Sequence, residues 1–183
     1  MPPKKKPNLD ALYGSCRVPG TVAPCELKYS QRSCFELDDD TAAKLKSLSA
    51  AADSSFYMSH ALYSDFTVLW LVDPRGKLWI ALEEIVIENP TIVGSLETYP
   101  LPRSLDWRMF DMSRLGHPAI VKGQDARIGG ELSYKPEASG GEWWLSNQSG
   151  RYGKGSDRTE DHLNQVAEIF RSRGINVVTF FYS

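Results

Sequence analysis

The sequence predicts a single α+β domain with a mainly antiparallel, twisted sheet and two principal helices. A strand–turn–strand pattern runs from Phe66 to Leu82, and further short strands with short connections follow it. Apolar residues recur at helical spacing in two stretches, one before and one after these strands. The length of 183 residues is typical of one domain, and a hydrophobic content of 42% is enough for a packed core.

The first ten residues are predicted to form a disordered basic arm, with the domain occupying residues 11–183. Three lysines repel one another in MPPKKKP, and its prolines remove backbone donors. Such an arm contacts nucleic acid or an anionic surface, remains a solvated tail, or joins the domain to a larger carrier protein. The sequence leaves these alternatives open.

The first principal helix is predicted after an acidic run. Asp38-Asp-Asp-Thr41 offers capping side chains, and its negative charge suits the positive end of a helix dipole. The apolar positions that follow share one helical face: Ala42, Leu45, Leu48 and Ala52.

A β-hairpin is predicted next. Phe66–Val72 is rich in β-branched and aromatic residues, Asp73-Pro-Arg-Gly76 has the composition of a type I turn, and Lys77–Leu82 returns as the second strand. Residues 89–113 contain several prolines and are predicted to be a long connection with a short strand, a kind of segment that often has a function.

Three short strands are predicted after this connection. They are Pro118–Val121, Ala126–Tyr134 and Glu142–Asn147, and Gly129-Gly130 interrupts the second. Glycines inside a strand often mark a bulge or the close approach of a ligand. Short strands with short loops form a meander, which makes the predicted sheet mainly antiparallel.

The second principal helix is predicted to start near Asp157 or Thr159, since Asp157 stands three residues before a glutamate, as in a capping box. Gly174 suits the position just after a helix. Ile175–Phe181 is apolar nearly throughout, which favours a central strand. The apolar stripe of this helix consists of Leu163, Val166, Ala167 and Phe170.

Charge and hydropathy exclude several classes of protein. The formal net charge of −2 gives no bulk electrostatic reason for nucleic-acid binding. The longest apolar stretch, Phe66–Val72, is far shorter than the roughly 20 residues of a membrane span. Since no apolar segment follows the basic start, a secretion signal is not expected. We therefore expect no membrane association and a location in the cytoplasm or, after delivery, inside a target cell.

The cysteines predict neither a disulfide framework nor a metal site. Cys16, Cys25 and Cys34 are odd in number and form no C-x-x-C pair, and no histidine is spaced to complete a metal site with them. No metal is expected. A Cys–His hydrolase pairing one of them with His117 is a further hypothesis, but no known nucleophile signature surrounds the cysteines.

A candidate site is predicted between Gly116 and Tyr152, where polar residues surround glycine-rich backbone. The predicted meander would bring the imidazole of His117, the carboxylate of Glu131 and the polar loop at residues 147–152 to one cavity. The predicted catalytic residues are His117, Glu131 and Tyr152, and the predicted substrate-binding residues are Asn147, Ser149 and Arg151. Each has a structural alternative, such as a strand cap for His117 and a salt bridge for Glu131 or Arg151.

The stretch from about Phe66 to the C-terminus resembles a domain of bacterial effector-like proteins that the plant IQ-motif calmodulin-binding protein family shares. Its H-S-S-F, A-A-G-E and S-G-H-Y-R-P motifs correspond to His117–Gly123, Ile128–Glu131 and Ser146–Tyr152, in the same order. The resemblance implies the architecture and the place of a site. Calmodulin as a partner does not follow from it, because the chain has no IQ helix.

A second resemblance is to ADP-ribosyltransferases of the His-Tyr-Glu type. It implies that His117 anchors NAD, Tyr152 stacks on nicotinamide and Glu131 contacts the ribose, although here the chain order is His, Glu, Tyr. A carboxylate suits the oxocarbenium-like centre of this reaction.

Two functions are therefore expected from the sequence. The first is an enzymatic effector or toxin domain of bacterial type, a transferase that uses NAD as cofactor and modifies a macromolecular target. The alternative is a non-enzymatic binding module, such as an immunity or adaptor protein. Both imply a protein partner, either the target or a cognate immunity protein.

Overall fold

Two sheets meet at Glu83, and two helices cover one face of the larger sheet. The computed structural model describes residues 7–53, 65–87, 98–109, 112–135 and 141–183. The strands are β1 (Phe35–Glu36), β2 (Val68–Val72), β3 (Leu78–Leu82), β4 (Glu84–Ile87), β5 (Thr98–Pro100), β6 (Met112–Leu115), β7 (Ile128–Lys135), β8 (Glu142–Ser146) and β9 (Val177–Phe180). The α-helices are α1 (Leu9–Tyr13), α2 (Pro24–Lys28), α3 (Asp39–Ala52), α4 (His117–Ile120) and α5 (Glu160–Arg171), and Trp107–Met109 forms a 3₁₀ turn.

Strand pairing confirms the predicted α+β class with a mainly antiparallel sheet. The six-stranded sheet has the order β1-β3-β2-β7-β8-β9, and β8 and β9 are its one parallel pair. The three-stranded sheet, β5-β4-β6, is antiparallel throughout. The principal helices are α3 with 14 residues and α5 with 12. None of the helices in the described ranges has the length and apolar character that crossing a bilayer requires.

The hairpin of β2 and β3 is confirmed. Val72 pairs with Leu78, and the amide of Gly76 donates to the carbonyl of Asp73 at 3.0 Å. The Asp73 carboxylate accepts from the amides of Arg75 and Lys77, which fixes the turn. Gly76 has a φ of +83°, a left-handed value that favours glycine.

The main core lies between one face of the six-stranded sheet and the helices α3 and α5. Trp70, Leu132 and Leu145 project from the sheet into this cluster and are fully buried. The predicted stripe of α5 is buried against them, which is the expected behaviour of an amphipathic helix. On α3 the predicted face is confirmed except at Leu48, which is 41% exposed.

Helix α5 begins at one of the two predicted positions, but with a different capping box. Thr159 is its N-cap, and its hydroxyl accepts from the amide of His162 while the His162 ring accepts from the amide of Thr159. The reciprocal pair is therefore Thr159 with His162, and the box predicted from Asp157 is wrong. Asp157 instead accepts from the Ser15 hydroxyl and forms an ion pair with Arg158.

Three of the later predicted strands need correction. Pro118–Val121 is not a strand, because His117–Ile120 forms the short helix α4 with Pro118 in its first turn, where proline is tolerated. Gly129 does not interrupt β7, which runs unbroken from Ile128 to Lys135. The final strand β9 lies at the edge of the sheet, and its apolar residue Val178 is 42% exposed.

Parts of two predictions lie outside the described residues. For the arm predicted at residues 1–10, residues 1–6 are outside, whereas Leu9 and Asp10 belong to α1 and Asp10 forms an ion pair with Arg127. For the connection predicted at residues 89–113, the described part contains β5 and the start of β6, which flank β4. That connection therefore helps to build the second sheet.

Candidate functional site

Glu131 lies on the face of the six-stranded sheet that turns away from α3 and α5. Leu69 pairs with Ala81 on one side and with Glu131 on the other, so their side chains share this face. Gly129 lies two residues before Glu131 on the same face, and His117 and Tyr152 pack against it. A β-carbon added to Gly129 would lie 3.2 Å from Cδ2 of His117, so the absence of a side chain makes room for the imidazole.

His117 is a buried neutral residue. Its Nε2 atom lies 2.8 Å from the carbonyl oxygen of Gly130, and because a carbonyl only accepts, Nε2 is assigned the proton. Burial, helped by the guanidinium charges of Arg151 and Arg114, lowers the pKa of His117 to about 4 against the opposing effect of the bond to Gly130. Its hydrogen bond fixes α4 to β7.

Tyr152 is fully buried and has its hydroxyl engaged. The hydroxyl donates to the carbonyl of Gln124 at 2.8 Å, and the ring packs in a small cluster with Leu71 and Ala126. Burial raises the pKa of Tyr152 above its ordinary value, and the charge of Glu26 raises it further. The ring therefore has no exposed face on which nicotinamide could stack.

Asn147 and Ser149 bind backbone groups. The amide of Asn147 donates to the carbonyls of Gly153 and Tyr182 at 3.0 and 2.8 Å, and its oxygen accepts from the amide of Tyr182 at 2.7 Å. The hydroxyl of Ser149 accepts from the amide of Tyr152 at 3.3 Å. These contacts close the 147–153 loop and hold the chain after β9 against it.

Arg151 forms an ion pair with Glu26 at 2.7 Å, and Glu26 is only 1% exposed. The Glu26 carboxylate also accepts from the amides of Ala23 and Gly116. Sequence reasoning missed Glu26, although its position three residues after Ala23 at the start of α2 is that of a capping-box acid. The pair joins α2, the turn before α4 and the 147–153 loop.

A polar groove of about 400 Å³ lies beside the junction of the two sheets. Glu83, the single residue between β3 and β4, reaches it from one side, and Arg114 on β6 reaches it from another. Its charged and aromatic lining consists of Glu83, Arg103, Asp106, Trp107, Arg108 and Arg114. Sequence reasoning missed this groove, because its residues come from three separate segments with no motif spacing.

Arg114 links this groove to the predicted site. Its Nη1 atom lies 3.2 Å from Oε1 of Glu83, and its guanidinium lies 5.7 Å from the ring centre of Trp107. Its positive charge also acts on the pKa of His117 and of Glu131. The charge of this groove residue therefore acts on His117 and Glu131, neither of which lines the groove.

The pKa values of two carboxyl groups in this region are raised above their ordinary value. Burial raises the pKa of Glu83, against the charges of Arg114 and Arg103. Burial also raises the pKa of Glu131, and the charge of Glu83 raises it further, while the same two arginines lower it. Two half-buried carboxyl groups that influence each other, held among cations, form an arrangement typical of acid–base sites.

A second cavity, of about 330 Å³, lies between α3 and the sheet and is lined by apolar side chains such as Leu45, Val68 and Trp143. No charged residue of the described chain lines it, so it offers no acid–base group. Among the described residues there is also no group of three His, Cys, Asp or Glu side chains that could hold a metal ion.

The cysteines are free and poorly suited to nucleophilic catalysis. Burial raises the pKa of Cys34 to about 11, and burial also raises the pKa of Cys16. Cys25 is buried, and its thiol donates to the carbonyl of Arg114. A hydrolase needs a thiolate, and the Nε2 atom of His117 is already engaged with Gly130.

No protein-family model matches this sequence, and no curated protein or solved structure matches it either. The resemblance to the effector-like domain therefore stays a prediction.

Proposed function

We propose that the chain is an effector- or toxin-type enzymatic domain that transfers ADP-ribose from NAD to a macromolecular target. One observation supports this most: Glu83, Arg103 and Arg114 line a groove of about 400 Å³, and the charges of all three act on the pKa of Glu131 on the neighbouring strand face. NAD combines a glycosidic bond, whose cleavage needs a carboxylate, with a pyrophosphate, which arginines bind.

The proposed reaction exchanges one bond at the ribose. The bond between C1′ and the nicotinamide nitrogen breaks, and its electron pair leaves with neutral nicotinamide. An acceptor oxygen of the target forms the new bond to C1′, and its proton passes to a carboxylate. A negative carboxylate also stabilises the positive charge that develops at C1′ in the transition state.

Glu131 is the carboxylate to which we assign these roles. Its raised pKa makes it a better proton acceptor than an ordinary surface glutamate. Glu83, which is 19% exposed and paired with Arg114, orients that guanidinium.

His117 and Tyr152 take positioning roles in this proposal. His117 holds the carbonyl of Gly130, the residue before Glu131, and so limits the movement of β7 at that point. Tyr152 supports the same region from below by packing against Gly129. The roles of anchoring NAD and stacking on nicotinamide, which the second resemblance implied for these side chains, are not part of this proposal.

The test is release of nicotinamide from NAD and transfer of labelled ADP-ribose to protein in a cell extract. We expect Glu131→Gln to lower both by at least about 100-fold, the usual size for a group acting on transition-state charge. Glu142→Gln is the matched control, since Glu142 is an exposed glutamate on the neighbouring strand β8. Equal activity of wild type and Glu131→Gln would refute the assignment.

A protein-binding module is the second candidate, supported by an apolar row at the β8–β9 edge. Trp144 pairs with Val178, the Trp144 and Phe180 rings lie 4.6 Å apart, and Tyr182 is 47% exposed. Exposed aromatic clusters of this kind are typical of protein interfaces. An immunity or adaptor protein would bind its partner stoichiometrically without consuming NAD, and Trp144→Ser, but not Glu131→Gln, would abolish that binding.

A further inference from the structure

We infer that the polar groove binds the pyrophosphate of a nucleotide through the guanidinium groups of Arg103, Arg108 and Arg114. The inference deepens the proposed function, on which it rests for the identity of the ligand as NAD or ADP-ribose. In this inference the arginines bind the ligand, and the carboxyl groups take part in the proposed reaction.

The charges of the lining favour an anion. Three guanidiniums line the groove together with two carboxylates, those of Glu83 and Asp106. Arg114 is paired with Glu83, whereas Arg103 and Arg108 have no carboxylate partner within hydrogen-bond distance in the described part of the chain. Two guanidiniums beside one cavity, neither in an ion pair with a described carboxylate, are suited to bidentate contacts with phosphate oxygens.

Trp107 positions two of these arginines. The guanidinium of Arg108 lies 5.5 Å and that of Arg114 lies 5.7 Å from the centre of its ring. A cation held against an aromatic ring loses part of its conformational freedom before any ligand arrives. The entropy loss on binding phosphate is therefore smaller than for arginines on long mobile side chains.

The loop that carries Arg103 is anchored as well. The amide and hydroxyl of Ser104 donate to the Asp65 carboxylate at 3.1 and 3.0 Å, and the amide of Arg103 donates to the carbonyl of Asp65 at 2.7 Å. The Nε atom of Arg103 donates to the hydroxyl of Thr67 at 2.8 Å, and no hydrogen bond from its terminal nitrogens to another described residue competes with a ligand. The groove is thus built from fixed elements.

The experiment is calorimetric titration of the folded chain with ADP-ribose, inorganic pyrophosphate and adenosine. We expect saturable binding of ADP-ribose and pyrophosphate, and none of adenosine, which lacks phosphate. Arg108→Gln should weaken both interactions at least about tenfold, as expected for a charged hydrogen-bonding group. Arg75→Gln is the matched control, because Arg75 is exposed in the β2–β3 turn, away from the groove.

Trp107→Leu is the second variant. It leaves every charge in place but removes the ring, so we expect weaker pyrophosphate binding with an unchanged dependence on salt. An Arg108→Gln variant that binds as well as wild type, or a loss of equal size in Arg75→Gln, would overturn the inference. So would binding of adenosine with the affinity of ADP-ribose.

The two proposals fail in different ways. Binding of ADP-ribose that depends on Arg108, without any release of nicotinamide from NAD, would refute the proposed reaction and support the binding site. Release of nicotinamide that depends on Glu131 but is unchanged in Arg103→Gln and Arg108→Gln would refute the binding site and support the reaction.

Discussion

His117 and Gly130 are joined by a hydrogen bond of 2.8 Å between an imidazole nitrogen and a backbone carbonyl oxygen. The bond crosses from the short helix α4 to the strand β7, one residue before Glu131. A four-residue helix has little stability of its own, so this contact and the burial of α4 hold it in place.

The first prediction concerns the dependence of stability on pH. The pKa of His117 is about 4 in the folded chain and about 6.5 when unfolded, so protons favour the unfolded state between these values. The stabilisation is present above pH 6.5 and is lost as the pH falls towards 4, by about 3 kcal/mol in total. Urea unfolding of wild type from pH 7.5 to pH 4 measures this loss.

His117→Gln is the comparison for that experiment, since glutamine retains a donor for Gly130 but does not titrate. Its free energy of unfolding should fall less steeply over the same pH range. If the free energy of unfolding changed with pH equally in the two proteins, His117 would not be the group responsible for the pH dependence.

The second prediction separates activity from stability at Glu131. Because burial and Glu83 raise the pKa of Glu131, its ionised form is less favourable in the folded chain than in the unfolded chain. Stability from this group is therefore greatest at low pH and is lost as the pH rises through its raised pKa. Glu131→Gln should have a Tm at pH 7 equal to or above that of wild type, measured by calorimetry, while nicotinamide release is lost. A Tm well below wild type would indicate a structural role.

The third prediction compares the two partners of the Glu26–Arg151 pair. Glu26→Gln leaves a partly buried guanidinium without its charge partner and should lower the free energy of unfolding by about 3 kcal/mol. Arg151→Gln should lower the free energy of unfolding by the same amount or more. It leaves the carboxylate of Glu26, which is 1% exposed, without a counter-ion. Urea denaturation at pH 7 measures both, and a change below about 0.5 kcal/mol in either would contradict the prediction.

The fourth prediction concerns Asn147. Its side chain makes three hydrogen bonds to backbone groups of Gly153 and Tyr182, so Asn147→Ala should cost about 3 kcal/mol. Asn147→Asp should be at least as harmful, because a carboxylate cannot donate to two carbonyls. The exposed neighbour supplies a control, and Gln148→Ala should change stability by less than about 0.5 kcal/mol. An equal loss in the free energy of unfolding for Asn147→Ala and Gln148→Ala would contradict this prediction.

Local patterns predicted the two longer helices and the strands β2, β3, β7, β8 and β9. The β2–β3 hairpin and α5 were predictable because turn composition and apolar periodicity act over a few neighbouring residues. The stretch from Pro118 to Val121 was not, since a short apolar run fits a strand or a buried helical turn equally well. The edge position of β9 depends on where β7 and β8 lie, which its own sequence does not encode.

The site was predictable only in part, for a similar reason. Glu131 was found because glycines precede it, and the groove beside it was missed. Glu83, Arg103 and Arg114 become neighbours only in the folded chain, where the second sheet follows the first directly after Glu83. Glu26 was missed because it lies far along the chain from Arg151 and contacts it only in the folded state.

Glu83 also determines how a ligand would enter. Its amide donates to Thr67 at 3.0 Å and its carbonyl accepts from Leu101 at 2.8 Å, so one residue is bonded on both sides of the junction. A single linking residue that is hydrogen-bonded on both sides restricts the movement of the two sheets at this junction. Entry of the proposed ligand would then need only local side-chain motions, which take picoseconds to nanoseconds, and no separation of the two sheets.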